Sequence, residues 1–246
     1  MTHDTWIILG ASSTLARDFA RSVAQDGAAL ILCGRRIDDL EATAADAAAR
    51  GAAQAQVMAF DARDPDGFQP ILDAAARAPG TLNCAVFVGS MPAQDAIDAD
   101  PALVDGTIAD NFTGPARFLT LLAPMLEARE GGAIVGVSSV AGDRGRLGNY
   151  VYGGAKAGFT AYLSGLRNRL GRKGVHVLTV KPGPVDTPMT FGLGKQPFMS
   201  TPGAVTADIR KALRKKRNVL YTRAIWRPVM MVIRAIPEPI FKKMSI

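Results

Sequence analysis

Tyr152 and Lys156 stand four residues apart, so on a helix a phenol and an ammonium share one face. An ammonium beside a phenol favours the phenolate and should lower the tyrosine pKa from about 10 towards working pH. Such a phenol can give a proton to a carbonyl oxygen as a hydride reaches the carbon, and take it back in the reverse direction. Ser139, at the end of an apolar run before this pair, can hold the same oxygen by a hydrogen bond. The spacing is common on ordinary helix surfaces, so its meaning depends on the residues around it.

A hydride needs a carrier, and a second group of residues suits a dinucleotide. Leu9-Gly10-Ala11-Ser12-Ser13-Thr14-Leu15-Ala16 follows the first apolar run. Glycine at a strand-to-helix turn lets the backbone approach a pyrophosphate, whose charge the helix N-terminus meets. Ser12 and Ser13 can add hydroxyl donors there. The second run ends in Gly34-Arg35-Arg36, where an acidic residue would hydrogen-bond the ribose 2′-hydroxyl of NAD(H). Two arginines suit a 2′-phosphate, so NADP(H) is the expected cofactor; the alternative is a solvated helix start.

These groups need a frame, and the hydrophobic pattern supplies one. Apolar runs recur at 5–9, 29–33, 55–60, 83–88, 133–138, 175–180 and 218–222, with helix-length segments such as 14–26, 36–50, 101–129 and 149–171 between them. Alternating strands and helices predict an α/β fold: one Rossmann-type, doubly wound domain, with a seven-stranded parallel sheet and helices on both faces. The expected domain spans 1–223, and 224–246 reads as a basic amphipathic C-terminal tail. With 48% hydrophobic and 21% charged residues, a packed core is expected and disorder is not.

Cys33 and Cys84 lie inside strand-like runs and read as buried free thiols, with no disulfide framework, so a cytoplasmic setting is expected. His3 and His176 stand apart without a cysteine or carboxylate cluster, so no metal site is expected. The N-terminus lacks the pattern of a signal peptide, and no run approaches the roughly 20 apolar residues of a membrane span.

The charge is uneven. Residues 1–204 hold 18 Lys and Arg against 20 Asp and Glu, whereas residues 205–246 hold 11 against 2. A basic body would suggest nucleic acid; a basic tail does not.

In order, the chain carries the Gly10 turn, Asp61 after the third run, Asn111-Phe-Thr-Gly, Val-Ser138-Ser139-Val-Ala-Gly, Tyr152-x-x-x-Lys156 and Pro182-Gly183-Pro-Val185-Asp-Thr187. This series resembles the classical short-chain dehydrogenase/reductase family over at least residues 5–190. The resemblance implies a catalytic tetrad of Asn111, Ser139, Tyr152 and Lys156, with Asn111 holding a proton-relay water and Lys156 also meeting the nicotinamide ribose. It implies a cofactor held by Gly10, Ser12, Ser13, Leu15, Arg35, Arg36, Asp61, Ala62, Gly89, Tyr152, Lys156, Pro182, Gly183, Val185 and Thr187. Asp61 would meet the adenine, and Val185 and Thr187 the nicotinamide carboxamide. Two departures stand out. Thr14 and Ala16 replace glycines of the usual first turn, and Phe87-Val88-Gly89-Ser90 replaces the usual Asn-Asn-Ala-Gly.

The segment from Ala141 to Gly158 and the tail from Arg227 to Ile246 are similar, more narrowly, to enzymes that reduce decaprenyl-phosphoryl-2-keto-ribose. That resemblance implies a polyprenyl-phosphate keto-pentose substrate and a flavin oxidase partner in the same pathway. General ketone or 3-ketoacyl reduction is the alternative, and a nucleotide-sensing or scaffold protein without turnover is the reading from another class. Arg144 or Arg146 would meet a substrate phosphate, unless their loop is simply solvated. In the tail, Trp226, Val229, Met230, Ile233 and Ile236 recur at helical spacing among Arg227, Arg234, Lys242 and Lys243. This pattern suits peripheral contact with an anionic membrane, on its inner face, or else burial in a homo-oligomer contact. Residues 188–204 read as a mobile loop over the substrate.

Overall fold

The computed structural model describes residues 4–191, 194 and 196–244. His3, three residues of the 188–204 loop (Gly192, Leu193 and Lys195) and the last two residues of the tail lie outside the described residues.

Seven parallel strands form one sheet: β1 (Thr5–Leu9), β2 (Ala29–Gly34), β3 (Gln54–Ala59), β4 (Leu82–Val86), β5 (Ala133–Val137), β6 (His176–Pro182) and β7 (Val219–Thr222). Their spatial order is β3-β2-β1-β4-β5-β6-β7, so the chain winds outward in one direction from β1 and in the other from β4. Each run predicted as a strand is one, with ends displaced by at most two residues.

The strands are apolar nearly throughout because both sheet faces are covered. On β1, Ile7 and Leu9 face one core with α3 (Gln69–Arg77), α6 (Gly114–Arg129) and α7 (Tyr150–Gly171). Trp6 and Ile8 face the other, with α1 (Thr14–Ala24), α2 (Ile37–Ala49) and α8 (Pro202–Arg214). The first core stacks Phe60 on Phe68 and sets Phe118 edge-on to both. The fold is the single doubly wound domain the pattern predicts. Cys33 and Cys84 are free and buried in it, as expected of thiols on central strands.

One expected helix divides. In place of a continuous helix over 101–129, the chain forms α5 (Leu103–Ile108), a single π turn at Ala109–Thr113, and then α6. The wider turn carries Asp110 and Asn111 into the interior. A short α4 (Gln94–Ala99) precedes it. The tail folds as α9 (Trp226–Ala235) and α10 (Glu238–Phe241), with Pro237 separating them as its missing N–H requires. No described helix is long and apolar enough to cross a membrane.

Candidate active site

The two directions of winding part between β1 and β4, which leaves a crevice beyond their carboxyl ends. A cavity of about 190 Å3 occupies it. Gly10, Ser12 and Ser13 line it from the first turn, Gly34, Arg35 and Arg36 from the second, Asp61 and Ala62 after β3, and Gly89 after β4. Gly10 has φ of 77°, and a Cβ there would lie 3.0 Å from the backbone of Phe87 and Val88. Ser13 caps α1 by accepting from the Ala16 N–H. The two departures from the usual turn are accommodated: Thr14 is exposed, and Ala16 packs fully buried on the core. Leu15 lies on α1, partly buried against the second core and outside the lining.

Arg36 pairs with Asp39 at 2.7 Å. Arg35 lines the crevice and makes no salt bridge among the described residues. A Cβ-free turn, a helix N-terminus and a lining guanidinium fit a phosphorylated dinucleotide.

Sequence reasoning missed Phe60, Phe87, Val88 and Asp110, which complete the wall. Arg63 grips the buried Asp110 carboxylate with two 2.8 Å hydrogen bonds. Burial pushes that carboxyl up, but the hydrogen bonds from Arg63 and the charges of Arg63 and Arg35 hold it below the usual range. No local pattern marks this pair, because its members are 47 positions apart.

Asn111, Tyr152 and Lys156 are buried, behind the lining of the cavity rather than in it. A Cβ on Gly89 would fall 2.6 Å from Asn111 Oδ1 and 3.3 Å from Lys156 Nζ, so both side chains converge beneath this glycine. Asn111 Nδ2 donates to Ser90 O and Thr107 O, while its buried Oδ1 has no partner. Lys156 Nζ donates to Val137 O at 3.1 Å and lies 5.8 Å from the Tyr152 ring centroid. The two serines divide. Ser138 is spent on Lys156 O and Thr160. Ser139 caps the turn Val140–Asp143 by accepting from Ala141 N–H, and it stands close enough to Tyr152 to act on the phenol.

Burial pushes the Tyr152 phenol up, and Ser139 only partly offsets this. This corrects the expectation of a lowered tyrosine pKa, because desolvation of the buried phenol dominates. Burial instead lowers Lys156 to about 8. The set therefore holds a protonated phenol, an ammonium that gives up its proton readily and an open carboxamide oxygen.

Pro182 ends β6 and Gly183, Val185 and Thr187 follow it, all outside the lining of the cavity. Val185 is buried and bridges to Ser200, and the Thr187 N–H donates to Thr190 Oγ1.

Residues 4–197 match the family model described as short chain dehydrogenase. The chain belongs to the short-chain dehydrogenase family. It is 32% identical to an uncharacterized oxidoreductase of Mycobacterium tuberculosis, covering 97% of this chain and 96% of that one. It is 31% identical to an uncharacterized oxidoreductase of Streptomyces coelicolor, covering 98% and 95%. Among solved structures, a short-chain dehydrogenase from Sphingobium yanoikuyae in complex with NADPH superposes with a TM-score of 0.82 at 21% identity, covering 96% and 97%.

In this short-chain dehydrogenase the two arginines after Ser139 turn away from solvent. Arg144 donates to Ile233 O and Ile236 O, pairs with Glu238 and lies over the Phe241 ring. Its guanidinium is thus spent on the tail, which removes it as the phosphate receptor the sequence suggested. Arg146 reaches Val140 O and Met230 Sδ, has no salt bridge among the described residues, and its buried Nε is unpartnered. Burial lowers its pKa, and the charge of Asp143 opposes this. Of the 188–204 segment, Pro188–Thr190 forms a 3-10 turn, Phe198 packs edge-on against Trp226, and Phe191 stands almost wholly exposed.

Proposed function

We propose that this protein is an NADPH-dependent reductase of a keto group, with Asn111, Ser139, Tyr152 and Lys156 as its catalytic residues. The observation that carries the reading is the convergence of Lys156 Nζ and the unpartnered Asn111 Oδ1 beneath Gly89, with the Tyr152 ring 5.8 Å from that ammonium. A nucleotide sensor or scaffold has no need of a buried proton-transfer group of this kind.

When bound, the reduced nicotinamide supplies the hydride. The first and second turns, with Gly10, Ser12, Ser13, Leu15, Arg35 and Arg36, would hold its nucleotide half, together with Asp61 and Ala62. Gly89, Pro182, Gly183, Val185 and Thr187 would hold the other end. The Sphingobium relative, which binds NADPH in the same fold, supports this cofactor, as does Arg35.

The chain's own residues handle the proton. Tyr152, kept protonated by burial, gives its phenolic proton to the substrate oxygen. Ser139 steadies that oxygen by hydrogen bond. Lys156, with a pKa of about 8, stabilises the phenolate left behind and passes a proton back to it. Asn111 Oδ1 holds a water at the inner end of this path.

The substrate we assign is the 2-keto group of a polyprenyl-phosphate pentose, produced by a flavin oxidase from the hydroxy form. This rests on the likeness of the Ala141–Gly158 segment and the tail to enzymes of that reaction. Arg146, under-paired beside the Ser139 turn, is the remaining guanidinium for the phosphate. The outer face of the tail supports contact with an anionic membrane at the cytoplasmic side: Met231, Val232 and Ile240 are exposed among Arg227, Arg234, Lys242 and Lys243. The working form would be a homo-oligomer.

The test is NADPH oxidation with a polyprenyl-phosphoryl 2-keto-pentose, a water-soluble ketone and a 3-ketoacyl thioester. Fast turnover of the lipid sugar, lost in Tyr152→Phe, is expected. Turnover of the soluble carbonyls alone would leave a reductase and discard the lipid sugar.

A further inference from the structure

Two neighbouring residues at the end of the Ser139 turn reach in opposite directions. Asp143 points inward: its nearly inaccessible carboxylate pairs with Lys181 and accepts from Tyr221 OH at 2.8 Å. Lys181 sits in β6 directly before Pro182-Gly183, and Tyr221 sits in β7. Arg144 points outward to the tail. Its Nη1 donates to Ile233 O and Ile236 O, both at 2.6 Å, and its Nη2 to Glu238 Oε2 at 2.9 Å. Its guanidinium stacks 3.6 Å from the Phe241 ring centroid.

The carbonyls it takes lie at the C-terminus of α9, where a helix leaves acceptors without intrahelical donors and carries partial negative charge. A single guanidinium therefore meets two helix-terminal carbonyls, a carboxylate and an aromatic face at once. Alongside, Val140 packs with Trp226 and Met230 in a small core of its own, and the Trp226 indole lies directly on Gly183. Beyond Arg144, Gly145 and Gly148 face open space, and Arg146 between them touches the tail at Met230 Sδ.

We propose that the C-terminal segment 226–241 is part of the catalytic frame, and that Arg144 is the positioning residue through which it holds the Ser139 turn. The turn is fixed between the sheet, through Asp143, and the tail, through Arg144. Releasing the tail leaves the fold standing on its two main cores but lets Ser139 drift from Tyr152. This inference rests on the reading of Ser139 and Tyr152 as catalytic, and the experiment separates the two.

Arg144→Gln, Arg144→Lys and Phe241→Ala are compared with Ser139→Ala and Tyr152→Phe, using NADPH and whichever of the three carbonyl substrates the wild type turns over fastest. Misplacement by an ångström costs roughly a hundredfold in rate, so partial loosening should lower kcat about tenfold in Arg144→Gln. Phe241→Ala should fall in the same direction by less, and Arg144→Lys should recover little, because an ammonium cannot reproduce the fork. NADPH affinity should change less than kcat, because no tail residue lines the nucleotide cavity. Tryptophan emission should shift to the red as Trp226 loosens, while Trp6 stays in the sheet core. Wild-type kcat in Phe241→Ala and in either folded Arg144 variant, with only melting temperature reduced, overturns the proposal. Should the Arg144 variants not fold, Phe241→Ala decides it alone. Full activity in Ser139→Ala or Tyr152→Phe overturns the catalytic reading itself, and the inference with it.

Discussion

Gly89 and Asn111 are in such close contact that residue 89 has no room for a side chain. A Cβ there would stand 2.6 Å from Asn111 Oδ1, and the carboxamide cannot retreat because its Nδ2 donates to both Ser90 O and Thr107 O. Gly89→Ala should therefore displace Asn111 and press on Lys156 Nζ, lowering kcat by roughly tenfold to a hundredfold. Steady-state kinetics checks this; an unaffected kcat would show that the Asn111 carboxamide has no part in turnover.

Tyr152→Phe keeps the ring and removes the phenolic proton. General acid catalysis of this kind contributes about a hundredfold to ten-thousandfold, so kcat should fall in that range while NADPH binding persists. Fluorescence titration with NADPH beside a turnover assay separates the two effects.

Lys156 makes stability depend on alkaline pH. Its pKa is about 8 when folded, against 10.5 for an unperturbed lysine. Below pH 8 the side chain is charged in both states, and the folded state bears the cost of burying the charge. Between pH 8 and 10.5 only the unfolded chain keeps the proton, so stability rises with pH. Relative to Lys156→Met, the wild type should gain roughly 3 kcal/mol across that window, at about 1.4 kcal/mol per pKa unit. Urea denaturation of both proteins at stepped pH tests the sign; a constant difference would mean that the lysine is not buried as described.

Arg35 and Arg36 should differ in effect. Arg36 is already paired with Asp39, whereas Arg35 makes no salt bridge among the described residues. Arg35→Ala should raise the KM for NADPH about tenfold, the value of one charge-assisted contact, and leave NADH nearly unchanged. Arg36→Ala should do less. Equal losses with both cofactors would point away from a 2′-phosphate contact.

The outer face of the tail offers a separate measurement. Met231 and Val232 are exposed at 68% and 62%, beside Arg227 and Arg234. Co-sedimentation with vesicles rich in an anionic phospholipid should be lost in Met231→Ser/Val232→Ser and weakened by salt. Binding that survives both changes would exclude this face as the contact.

Much of this protein is legible locally. The strand runs, the Gly10 turn, the arginines after β2 and the Tyr152–Lys156 spacing follow from short-range rules: periodicity, turn chemistry and helix geometry. The family series then joins Asn111 and Ser139 to them. The basic tail and its helical stripe are equally plain, because charge and spacing are properties of neighbouring residues. What neighbours cannot express is which distant partner each group meets. Asp143 finds Lys181 and Tyr221, 38 and 78 positions away, and Arg63 finds Asp110. Arg144 reads as a free cation in sequence, yet folding commits it to carbonyls 89 and 92 positions on. The Tyr152 phenol reverses direction for a related reason: its pKa depends on how completely water is excluded, and only the packed interior sets that.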